Sequence, residues 1–74
     1  MAAGWINKTV EIKFAVPKVV QETMDDCERC NRENDMLYFV FADSLDVMCK
    51  NGYAAGRMSK AQWRTIERRY CNYD

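Results

Sequence analysis

The residues most open to chemistry are four cysteines and two pairs of carboxylates. Cys27-Glu-Arg-Cys30 is a CxxC pair. Eighteen residues separate Cys30 from Cys49, and twenty-one separate Cys49 from Cys71. Structural zinc is usually held by thiolates or imidazoles in two closely spaced pairs. This chain has one such pair and no histidine, so a four-thiolate site would require three helix ends to converge. A redox CxxC works at a helix N-terminus, where the dipole lowers the thiol pKa. Cys27 and Cys30 fall instead toward the C-terminal end of an expected helix. The simplest reading makes the cysteines small buried hydrophobes. The carboxylate pairs are Asp25-Asp26 and Asp43/Asp46. General acid–base work needs a cleft that drives two pKa values apart, whereas the helical spacing of Asp43 and Asp46 marks a polar face. No glycine-rich phosphate loop, nucleophile elbow or zinc-protease motif is present. Without histidine the usual general base is missing as well. No catalytic residue, metal or cofactor is expected, and the chain reads as a non-enzyme.

The elements that position any site must fit one domain over residues 1–74. A domain of this size buries only about 60% of the surface its unfolded chain exposes, so it needs staples or a second copy to be robust. The N-terminal residues meet a charge at Lys8 before any long apolar run, which does not match a secretory signal. No apolar run is long enough to span a membrane. The expected setting is cytoplasmic with reduced thiols, and oligomerisation is the expected supplement to a small core.

Within residues 5–16, Val10, Ile12, Phe14 and Val16 alternate with Thr9, Glu11, Lys13 and Ala15. This period of two predicts a half-buried strand, begun by Trp5 and Ile6. Pro17 suits the first position of a helix. Val20, Met24 and Cys27 then recur at helical spacing, predicting a helix over 17–33. Leu37, Phe41, Leu45 and Met48, with Val40 and Val47, predict a second helix over 35–50, with Asp35 as N-cap and Asn51-Gly52 as stop. A short strand at 36–41 is the alternative. Ser59 and Gln62 form a capping box, and Met58 and Trp63 are spaced as a hydrophobic staple, opening a helix over 59–71 that carries Trp63, Ile66 and Tyr70 on one stripe. The fold class is therefore mostly α, a three-helix domain with an N-terminal β-strand. A single strand leaves its backbone unpaired, so it pairs with a second copy or a partner protein, or lies as an extended arm over the helices.

The formal net charge is zero, but the charge is segregated. Residues 1–20 hold three lysines against Glu11, a balance of +2. Residues 21–46 hold eight acids against Arg29 and Arg32, a balance of −6, and residues 47–74 hold six bases against Glu67 and Asp74, a balance of +4. Lys60, Arg64 and Arg68 form a stripe at i, i+4 and i+8, with Arg57 before it and Arg69 pointing elsewhere. Such a stripe is one footprint of phosphate contact, or a solvated face that complements the acidic first helix, or a docking face for an acidic protein. The pI of 6.2 counts against non-specific nucleic-acid binding. Asp25, Asp26 and Glu28 offer the opposite surface, one that imitates a phosphate backbone or simply keeps the helix solvated. Nine aromatic residues are too many for three short helices to bury. Tyr38, Phe39 and Tyr53 are expected to stay partly exposed, and Tyr38 and Tyr53 serve as candidate anchors. The candidate partner-binding residues are thus Arg57, Lys60, Arg64, Arg68, Asp25, Asp26, Glu28, Tyr38 and Tyr53.

From Val20 to Cys71, about two thirds of the chain, a pattern recurs. It consists of Met24-Asp25-Asp26, Asn34-Asp35-Met36-Leu37-Tyr38-Phe39, Gly56-Arg57-Met58-Ser59 and Arg69-Tyr70. It resembles small proteins of Firmicutes genomes, phages and conjugative elements. The resemblance carries no activity over to individual residues and implies a bacterial, mobile-element context. Small accessory proteins there often act by binding. The expected function is a protein-binding module that occludes a larger host protein, in its sharpest form an anti-CRISPR-like inhibitor of a host defence nuclease or other nucleic-acid-processing enzyme. A nucleic-acid-binding regulator using the basic C-terminal helix is the alternative.

Overall fold

The computed structural model describes residues 4–71, so the outer ends of the expected domain, 1–3 and 72–74, lie outside the described residues. Three helices follow an N-terminal arm: α1 (Lys18–Glu33), α2 (Tyr38–Ala54) and α3 (Lys60–Tyr70). α2 packs against both of the others.

Pro17 stands at the start of α1, and its carbonyl accepts the first helical bond, from the Gln21 N–H at 3.0 Å. Asn34 ends α1 in the left-handed conformation, at φ 55°, which its short polar side chain tolerates better than most. Asp35, expected to cap α2, acts one turn earlier. Its Oδ1 accepts from the Leu37 N–H and its carbonyl from the Tyr38 N–H, so residues 35–37 form a turn and α2 begins at Tyr38. The strand alternative for 36–41 is excluded, since residues 38–41 are helical.

Gly52 does not stop α2. It is buried, and a Cβ there would lie 3.1 Å from the Met58 Sδ, so the glycine lets Met58 pack directly on the helix. The helix runs two residues further, to Ala54, and the chain turns at Gly56, where φ is +74°. Met58 covers Gly52, Trp63 lies against Tyr53, and both pack with the core. The capping box is complete. Ser59 Oγ accepts from the Gln62 N–H at 3.1 Å, and Gln62 Oε1 accepts from the Ser59 N–H at 2.9 Å.

The described residues hold no strand. The alternation along residues 10–16 is real, since Val10, Ile12, Phe14 and Val16 are half-buried while Glu11, Lys13 and Ala15 are exposed. What it registers is an arm lying on the helices, not a ladder. The arm is tied down by three bonds: Trp5 N–H to Asn31 Oδ1 at 2.7 Å, Asn7 N–H to the Arg69 carbonyl at 2.8 Å, and Arg69 Nη1 to the Val10 carbonyl at 2.7 Å. Its apolar side chains extend the core, and that supplies the burial a second strand would otherwise have to provide.

The core combines Val20, Met24, Cys27 and Cys30 of α1 with Tyr38, Ala42, Leu45 and Cys49 of α2, and with Ile6, Met58, Ile66 and Tyr70. The α1 stripe is the expected one. The α2 stripe has the expected period but another phase, because Leu37, Val40 and Val47 face outward. α2 is apolar on nearly every side, so periodicity alone cannot choose its buried face. Close approach to the neighbouring helices chooses it, through the small residues Ala42, Cys49 and Gly52.

Candidate functional site

Tyr38 is fully buried, against the expectation that it would anchor a partner. Its ring lies 5.1 Å from that of Trp5 and 5.7 Å from that of Phe39, and its hydroxyl donates to the Tyr70 carbonyl at 2.7 Å. That carbonyl belongs to the last turn of α3 and has no partner within the helix. Tyr38 therefore closes the end of the core.

The acidic candidates are mostly engaged within the molecule. Asp25 accepts from Gln21 Nε2 at 3.0 Å, and Asp26 pairs with Arg29 at 3.4 Å. Arg29 also reaches Glu33 at 3.7 Å. Glu28 turns inward, and one of its oxygens accepts from Arg69 Nη2 at 2.9 Å, Arg69 Nε at 3.3 Å and Tyr70 Oη at 2.6 Å. Glu28 thus joins α1, the end of α3 and, through Arg69, the arm. Its carboxylate is engaged within the molecule. The basic stripe does not complement α1; Arg69 does, the basic residue placed off that stripe. A neighbouring cleft of about 380 Å³ runs from Glu11 and Phe14 to Asp25 and Tyr70, with the Glu28–Arg69 pair on its wall.

The basic candidates differ. Arg57, Lys60, Arg64 and Arg68 are all exposed, and none of their side chains makes a hydrogen bond or ion pair among the described residues. Lys60 and Arg64 line a cleft of about 410 Å³ with Tyr53, Trp63 and Glu67. The end of α2 supplies Tyr53, and the capping box at Ser59 fixes the entry of α3, which supplies the rest. The Tyr53 and Trp63 rings lie 5.7 Å apart and tilted by 35°. Tyr53 remains 44% exposed, as expected. Trp63 Nε1 donates to Asp46 Oδ1 at 3.0 Å, which fixes the indole edge and leaves its ring on the cleft wall.

Sequence reasoning missed Glu67. Burial and a hydrogen bond to the Asp46 carboxyl push its pKa up, while Arg64 opposes the shift. The Asp46 carboxyl therefore meets Glu67 across the helix pair, rather than forming a site with Asp43. The available signal was an acid four residues beyond Trp63 on the same face of a basic helix. The arrangement presents two cations and an aromatic wall to solvent, with a carboxyl behind them. It suits an anionic ligand or a carboxylate-bearing surface.

Among the described residues, no group of three or more His, Cys, Asp or Glu side chains is placed to hold a metal ion. Cys27 and Cys49 are fully buried, Cys71 is half-buried, and burial pushes all three thiols from 9.0 up to about 12. The folded chain thus keeps protons that the unfolded chain releases. This stabilisation is complete below pH 9.0 and is lost as the pH rises toward about 12. Melting temperature should fall when the pH is raised from about 8 to about 10.5, and fall less steeply in Cys49→Ala. Equal slopes in the two proteins would contradict the assignment.

No helix among the described residues is long and apolar enough to cross a membrane. No family model, curated protein or solved structure matches the chain.

Proposed function

We propose that the protein is a cytoplasmic binding module that docks the Tyr53–Trp63 cleft and its basic rim onto an acidic face of a larger protein and acts by occlusion. One contrast carries the reading. The acids of α1 mostly have partners within the molecule, whereas the side chains of Arg57, Lys60, Arg64 and Arg68 make no hydrogen bond or ion pair among the described residues, and Lys60 and Arg64 line a cleft with the exposed Tyr53 and the half-buried Trp63. Aromatic and arginine side chains together are the usual anchors of protein interfaces. The resemblance to mobile-element proteins suggests the target, a host nucleic-acid-processing enzyme such as a defence nuclease, whose metal-binding carboxylates would present the acidic face. Of the acidic candidates, Asp25 and Asp26 belong to a secondary surface in this reading.

The test is capture from a host extract with three immobilised proteins: wild type, Lys60→Glu/Arg64→Glu, and Asp25→Lys. Wild type and Asp25→Lys should retain one protein at stoichiometric level. The double charge reversal should weaken its capture by roughly a hundredfold, about tenfold for each anchor. Recovery of no protein, or capture that ignores the reversal, overturns the proposal.

A second reading is favoured by the exposed Tyr53 ring beside Lys60 and Arg64, since base stacking next to phosphate contacts is how single strands are held. It predicts salt-dependent binding of nucleic acid that disappears in Arg64→Glu. Absence of binding at low salt ends it.

A further inference from the structure

The outer face of α2 is apolar and uncovered. Val40 is 58% exposed and Val47 55%, with Leu37 at 53% and Met36 at 68% extending the patch before the helix. Leu37, Val40, Ser44, Val47 and Asn51 follow one another at spacings of three and four, the spacing of a two-helix coiled-coil seam, apolar at Leu37, Val40 and Val47 and polar at Ser44 and Asn51. The flanks of this seam differ. One carries Asp43 and Lys50, both exposed and seven residues apart, so they occupy the same heptad position in successive heptads. The other carries Phe41 and Met48, both half-buried, with the Arg29 guanidinium of α1 6.0 Å from the Phe41 ring and Thr23 of α1 against the Met48 sulfur.

We propose that this face pairs with the same face of a second copy, in antiparallel orientation. The charge pattern selects both the occupant and the orientation. In an antiparallel two-fold pair, each flank lies beside its own counterpart with the direction reversed. With the dyad near Val47, Asp43 of each copy meets Lys50 of the other, giving two ion pairs by symmetry. The same register brings the two Val47 side chains together at the centre and sets Val40 against Ala54 of the second copy. In a parallel pair the charged flank would lie against the Phe41 and Met48 side, where α1 already packs, and Asp43 and Lys50 of the two copies would not face each other. A surface complementary to itself in this way is the signature of an isologous dimer. It also supplies the additional burial that a domain of this size needs. The pairing uses helix packing and leaves the arm where it lies, so it differs from dimerisation through residues 5–16. It stands independently of the reading of the basic cleft.

The test is sedimentation equilibrium over a wide concentration range, with circular dichroism as a check that each variant is folded. Every substituted position is exposed, so folding should be retained. Wild type should dimerise, and Val47→Asp should be monomeric. Asp43→Lys alone and Lys50→Asp alone should each weaken self-association by at least about tenfold, because both create like-charge pairs across the dyad. An equimolar mixture of those two proteins should form a heterodimer, and the double variant Asp43→Lys/Lys50→Asp should regain the wild-type affinity. A monomeric wild type, a dimer that survives Val47→Asp, a dimer lost only on substitution in residues 8–16, or a mixture that associates no better than its components would each overturn the proposal.

Discussion

Replacing Tyr38 by alanine should remove most of the stability of the fold. The side chain is fully buried between the arm and the end of α3, under Trp5 and beside Phe39. Deleting a buried aromatic ring costs about 3–5 kcal/mol, because the cavity only partly collapses. That is a large part of the roughly 5–15 kcal/mol that holds an ordinary domain together, and a small domain lies at the low end of the range. The hydroxyl contributes separately. Tyr38→Phe keeps the ring and leaves the buried Tyr70 carbonyl without its donor, at a cost of about 1–2 kcal/mol. Urea unfolding separates the two effects. Tyr38→Phe should shift the midpoint and keep a cooperative transition, whereas Tyr38→Ala should show little or none. An alanine variant within about 1 kcal/mol of wild type would mean that Tyr38 does not close the core.

The second large effect belongs to Glu28. Glu28→Ala leaves the Arg69 guanidinium and the Tyr70 hydroxyl without their shared acceptor. The Arg69 side chain is 17% exposed and that of Glu28 31%, so the pair is neither fully buried nor freely solvated. A cost of about 2–3 kcal/mol is expected, below that of breaking a fully buried pair and above that of a surface pair. In melting temperature this is a fall of about 10–20 °C for a domain of this size. The loss should reach the arm, since Arg69 also holds the Val10 carbonyl and its own carbonyl accepts from the Asn7 N–H. The Asn7 amide should therefore exchange with solvent faster in Glu28→Ala than the melting temperature alone accounts for. A double-mutant cycle with Arg69→Met isolates the coupling. Additive losses would show that the two side chains act independently.

These two residues also show where sequence reasoning stopped. The sequence makes both docking candidates, Tyr38 because three short helices cannot bury nine aromatic residues and Glu28 because it belongs to an acidic run. Their actual partners lie 32 and 41 residues away, and no local pattern encodes such a distance. Within the candidate cleft, Lys60, Trp63 and Arg64 could be placed on α3 from their spacing and the capping box. The contribution of Tyr53 from α2 and the Asp46–Glu67 contact depended on how the two helices cross.

By itself, the sequence determined the three helices, the start of α3, the buried stripes of α1 and α3, the exposed basic stripe and the alternation of the arm. Each of these follows from short-range sterics, hydrogen bonding and periodicity, which act within a few residues. The tertiary structure alone decided which face of α2 is buried, that Gly52 packs while Gly56 turns, and that the arm lies on the helices without forming a strand. It also decided that Glu28 binds Arg69, while the side chains of Arg57, Lys60, Arg64 and Arg68 make no ion pair among the described residues. These outcomes depend on which surfaces meet. An apolar helix offers several faces of similar hydrophobicity, and an acid next to solvent looks the same in sequence whether or not a distant arginine reaches it.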